Sequence, residues 1–162
     1  MIEKLDFNPS SPSWLWLFPL TYIIHIFEEY RGGIVLSSSL SEMHGFNLTP
    51  TEFLRLTIVG LMLIVIGIII ARKFRFPQLL SVILATVISL NGLSHTISSC
   101  LSGAYNPGLI SGLLIWLPLG AITLLYLRRS MRHGRYWMGV IIGLAISGVV
   151  SWLALGGGKT LN

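Results

Sequence analysis

The stretch Ile58-Val59-Gly60-Leu61-Met62-Leu63-Ile64-Val65-Ile66-Gly67-Ile68-Ile69-Ile70-Ala71 holds no charged residue and is closed by Arg72-Lys73-Phe74-Arg75. Read with the residues that lead into it, about 52–72, it reaches the roughly 20 residues that an α-helix needs to cross hydrocarbon. Thr49-Pro50-Thr51-Glu52 starts it with a hydroxyl cap, an early proline and an acid in the first turn. A helix that is apolar on every side belongs in a bilayer.

Working outward, Phe76-Pro77 restarts the chain for a span over about 77–101. The turn signal Tyr105-Asn106-Pro107-Gly108 precedes another over 108–127, interrupted by Pro118. A further apolar run covers 136–155. Towards the N-terminus a span over 13–30 opens with Trp14 and Trp16 as interfacial aromatics, and Pro19 is expected to bend it. Residues 31–50, with Arg31-Gly32-Gly33 and Ser37-Ser38-Ser39, are too polar to span and read as a connection with room for a short surface helix or a re-entrant turn. The expected fold is all-α: a polytopic transmembrane helical bundle of about five spans with short loops, one transmembrane domain over 1–162.

Composition agrees. Hydrophobic residues make up 53% of the 162 and charged ones only 10%, against about 25% charged in a soluble domain. The net charge of +5 sits largely in Arg72-Lys73-Phe74-Arg75 and in the 128–135 segment, each between apolar runs. That is the placement of cytoplasmic orientation determinants, and it excludes a nucleic-acid partner as the reading of the charge. It puts the N-terminus in the cytoplasm and the C-terminus outside. Cys100 has no partner in the chain, so there is no disulfide framework. The first residues lack the basic region and cleavage site of a signal peptide, and the first run reads as a retained helix. Gly139, Gly143, Ser147 and Ser151 form a small-residue stripe that allows close helix packing and offers an interface for a homo-oligomer.

Ionisable residues inside a span are functional candidates by default. His25-Ile26-Phe27-Glu28-Glu29 lies near the outer end of the first span. Offsets of three and four residues put Glu28 and Glu29 on the face of His25. Asn91 and His95 share a face of the third span in the same way. At 1.5 Å per residue, His25 lies roughly 6 Å outward of its span's middle and His95 roughly 8–9 Å. The two spans run in the same direction, so both sets reach one layer, with Tyr105 in the turn above it.

Two imidazoles and one or two carboxylates make a plausible shell for a divalent metal, zinc or iron. In that reading His25, His95 and one of Glu28 or Glu29 bind the ion. The other glutamate is base or orienter, Asn91 donates to a ligand, and Tyr105 is a further catalytic candidate. His44 and Glu42, in the 31–50 connection, are expected to be solvated.

His25-x-x-Glu28-Glu29, His95 further on, and Tyr105-x-Pro107-Gly108 together resemble the HXXEE-motif family of bacterial integral membrane proteins, of unknown function. The resemblance implies a bacterial inner or plasma membrane location and adds weight to these positions without supplying a substrate. The leading expectation is a metal-dependent, hydrolase-like enzyme acting on a lipid or other hydrophobic small molecule near the outer leaflet. One alternative is a metal-free acid–base isomerase or cyclase of an isoprenoid-like substrate. The other is a proton- or cation-coupled transporter.

Overall fold

The computed structural model describes residues 9, 11, 13–40 and 50–154. These are overwhelmingly helical, and no strand occurs among them. A 3₁₀ turn, Trp14–Trp16, leads into α1, Leu17–Leu40. There follow α2, Pro50–Lys73, α3, Pro77–Ser102, α4, Leu109–Ser130, and α5, His133–Ala154. Each of α2 to α5 is long and apolar enough to cross a membrane. The 24 residues of α1 measure about 36 Å at 1.5 Å each, also sufficient for a core of about 30 Å. The chain is a multi-pass membrane protein.

The spans fall close to the runs read from the sequence because prolines and charges punctuate them. Pro77 occupies the first position of α3, where a missing N–H costs nothing. Arg128 and Arg129 close α4. The main departure is α1, which continues as one helix to Leu40 into the connection, where a separate short surface helix or a re-entrant turn is the expectation. Gly32 explains part of this. A Cβ there would lie 2.7 Å from the Cβ of Pro107, so its smallness serves the packing of the α3–α4 turn onto α1. Glu42 and His44 lie outside the described residues.

Pro19, where a bend is expected, falls in the first turn of α1, and the helix runs on through it. One expectation here is corrected. Trp14 is no interfacial anchor: it is 8% exposed, and its indole N–H donates to Thr123 Oγ1 at 2.9 Å. Trp16 does face outward.

Around α3, the central helix, pack α2, α4 and α5. Leu15, Phe18, Ile68, Leu84, Ile88 and Trp116 belong to one buried apolar cluster that ties α1, α2, α3 and α4 together. Close approach depends on glycines. A Cβ on Gly92 of α3 would stand 2.8 Å from the Gly112 carbonyl oxygen of α4. Gly139 and Gly143 of α5 press on Val82 and Thr86 of α3, so the first half of the small-residue stripe is buried within the chain.

At that close approach α4 opens into a π turn over Gly112–Trp116. Pro118 follows directly and has no N–H to return to the preceding turn, a common cause of such widening. The expected interruption of the fourth span therefore takes the form of a local π turn rather than a break. It turns Trp116 inward, 2% exposed, onto α1.

Candidate functional site

His25 is 1% exposed and sits between the start of α4 and Glu29, one helical turn further along α1. Glu29 Oε1 lies 3.5 Å from His25 Nε2 and 3.1 Å from Nε2 of His95. One carboxylate oxygen thus faces two imidazoles from different helices. The rings stand edge to face with centroids 5.1 Å apart. Trp116 stacks on His25 at 3.6 Å, and Tyr22 lies parallel to Trp116 at 6.2 Å.

The other nitrogen of His25, Nδ1, is 2.7 Å from the hydroxyl of Ser111. A hydroxyl both donates and accepts, so Ser111 accommodates either tautomer. When it donates, Nε2 carries the proton on the side of Glu29, 3.5 Å away. When it accepts, a neutral ring turns its Nε2 lone pair to that side, which a proton on Glu29 or a cation between the two would satisfy. His95 differs, since its Nδ1 is buried without a partner among the described residues. Among them Asn91 Oδ1 and Trp116 Nε1 are likewise buried and unpartnered, and His25 Nε2 forms no aligned hydrogen bond. Orphaned polar atoms are uncommon in a folded interior and call for a reason.

His25, Glu29 and His95 each offer a ligand atom, and these lie within 4.8 Å of one another. A zinc ion held at about 2.0–2.2 Å from each donor would draw them to within roughly 4 Å. The change required is of the order of a side-chain adjustment, and the donor set of two histidines and one carboxylate fits the ion.

Glu28 is not in this group. Its carboxylate turns to the beginning of α4, where Oε1 accepts from the Tyr105 hydroxyl at 2.6 Å, Gly108 N at 3.2 Å and Ile110 N at 2.9 Å. Oε2 accepts from Ser111 N at 2.7 Å. The sequence allowed either glutamate as ligand; the structure turns Glu29 to the imidazoles and Glu28 to the backbone. Tyr105 is 38% exposed. Partial burial and the Glu28 carboxylate raise its phenol to about 12, so it stays protonated and donates. Neither Arg31 nor Arg55 pairs with these acids among the described residues; Arg31 rests on the ring of Phe27, 4.8 Å from its centroid.

Gly108 completes the site. It has φ +93, and a Cβ there would lie 2.8 Å from His95 Cε1 and 2.9 Å from His25 Cε1. Both rings therefore pack on a residue that must lack a side chain. Sequence reasoning missed Ser111 and Trp116. The one available signal was that Ser111 stands at the third position of a helix beginning after Pro107-Gly108. Pro118 announces an interruption of this span, but not that it takes the form of the π turn that aims Trp116.

A family model described as a protein of unknown function with HXXEE motif matches residues 16–123, which include every site residue named above. No curated protein and no solved structure matches the chain.

Proposed function

Since the chain belongs to the family of proteins with the HXXEE motif, whose function is unknown, its chemistry has to be read from its site, and we propose that His25, Glu29 and His95 hold a divalent metal, zinc or iron, in a membrane-embedded hydrolase. The observation that carries this is the convergence of two imidazole nitrogens and one carboxylate oxygen, from two helices, within 4.8 Å. Three such ligands leave a position open for water or substrate. A metal bound there would polarise a carbonyl or phosphoryl oxygen and lower the pKa of a bound water towards neutrality. Glu28 cannot serve as base while it accepts four donors, so water activation falls to the metal itself. Glu29, with 19% of its side chain exposed against 2% for His25, marks the side from which substrate arrives.

The proposed substrate is a lipid or another hydrophobic small molecule. One open face of α3 carries Leu90, Leu93, Ile97 and Leu101 with Ser94, Ser98 and Ser102. It lies one residue step around the helix from His95, and it offers a bed for an apolar chain. Basic loops on the cytoplasmic side would put the N-terminus in the cytoplasm and the site in the outer half of a bacterial plasma membrane.

Elemental analysis of purified protein tests the reading. Near-stoichiometric zinc or iron, lost in a His25→Ala/His95→Ala double variant, supports it. A metal-free wild type, or retention of metal in the double variant, contradicts it. Glu29 bridging two imidazoles also suits metal-free proton transfer on an isoprenoid-like substrate, and turnover by metal-free protein would favour that second reading.

A further inference from the structure

We infer that Glu28 is a positioning residue, an N-terminal cap supplied to α4 by α1, which fixes the two imidazoles through Ser111 and Gly108. The inference rests on the reading of His25, Glu29 and His95 as the working centre.

A helix N-terminus leaves amide N–H groups without intrahelical partners, and the residue just before the helix ordinarily satisfies them with a short polar side chain. In α4 that residue is Gly108, which has no side chain and makes no such bond. It cannot be serine or aspartate, because the rings of His25 and His95 occupy the space a Cβ would need. The histidines thus deprive α4 of its own cap. Glu28 replaces it from another helix, accepting the amides of Ile110 and Ser111 at 2.9 and 2.7 Å. A carboxylate also suits the positive end of the helix dipole.

Two links run from this cap to the chemistry. Ser111 gives its amide to Glu28 and shares a hydrogen bond between its hydroxyl and His25 Nδ1, at 2.7 Å each. Gly108 gives its amide to Glu28 while its Cα packs against both rings. Tyr105 closes the arrangement from the turn, donating to the same Oε1. The turn is itself held to α3 by Asn106 N donating to Ser99 Oγ at 3.0 Å. The two glutamates therefore divide two tasks. Glu29 contacts the imidazoles, and Glu28 holds the backbone that holds them.

The test measures zinc affinity of the full chain in detergent beside ¹⁵N-histidine NMR of His25 without metal. Glu28→Gln keeps the shape but places an amide NH₂ against backbone donors. It is expected to retain a single zinc site, to weaken it about 10–100-fold as loss of an orienting partner does, and to move the ¹⁵N signals of His25 from their wild-type positions. Tyr105→Phe, a milder change that stands in if Glu28→Gln does not fold, should shift both readouts in the same direction by less. Glu29→Gln should abolish zinc uptake while leaving the Ser111 bond to His25 visible. The inference is overturned if Glu28→Gln abolishes uptake as completely as Glu29→Gln, which would make Glu28 a ligand. It is equally overturned if Glu28→Gln, or its stand-in, changes neither affinity nor the His25 signal. A wild type that takes up no zinc sinks the metal reading alone, and the His25 signal still decides whether Glu28 positions the ring.

Discussion

Glu29 of α1 and His95 of α3 meet at 3.1 Å, although the start of α4 lies against both of their helices. The contact spans the bundle through side chains, so the site depends on how α4 begins. Gly108 is the most sensitive point. Gly108→Ala adds a Cβ against two rings at a residue with φ +93. The left-handed backbone costs about 1–2 kcal/mol and overpacking about as much again, roughly 3 kcal/mol together. Gly103→Ala is the control, since φ is +63 but no atom of the described residues lies within 4 Å of the added Cβ, and it should cost about 1 kcal/mol. Thermal unfolding in detergent should rank Gly108→Ala well below Gly103→Ala; equal losses would contradict the packing of the rings on Gly108.

On α5 the glycines separate by direction. A Cβ on Gly143 would stand 2.7 Å from Thr86 Cβ and 2.9 Å from the Ile83 carbonyl oxygen. Gly143→Ala should destabilise by about 1–3 kcal/mol. Gly148→Ala meets nothing within 4 Å among the described residues and should gain about 0.5–1 kcal/mol from better helix propensity. Unfolding of both variants checks this, and the opposite order would mean that α5 does not pack on α3 through this face.

Trp14→Phe removes the indole donor to Thr123 Oγ1 within the buried cluster. A loss of about 1 kcal/mol is expected for one hydrogen bond, read as a lower unfolding temperature. An unchanged temperature would return Trp14 to the role of a dispensable interfacial residue.

Tyr105 supplies a pH signature. Partial burial and its bond to Glu28 raise the phenol from about 10 to about 12. The protonated form is the one the fold prefers. Its contribution is therefore complete below pH about 10 and is lost as pH rises through about 12. A phenolate absorbance titration should show a late-titrating group that Tyr105→Phe removes. A titration unaltered by that substitution would contradict the Tyr105–Glu28 bond.

Much of the fold was legible because apolar runs and their charged or proline-bearing ends are local signals. Ile58–Ala71 could be read without knowing what it packs on. The end of α1 could not. Gly32 reads as a helix breaker until Pro107 is seen lying on it, a contact between residues far apart in the chain. The convergence of His25, Glu29 and His95 was legible because helical rise sets depth. The division between Glu28 and Glu29 was not. Adjacent residues differ by about 100° around a helix, and only the position of the α4 N-terminus decides which of them caps it. Trp14 and Trp16 are a similar pair, one inside and one outside.

Cobalt(II) titration of the metal-free chain decides whether His25, Glu29 and His95 share one cation. One equivalent should bind, with the visible absorption of a low-coordinate site, absent in Glu29→Gln. No uptake by the wild type, or the same spectrum from Glu29→Gln, would contradict a shared cation.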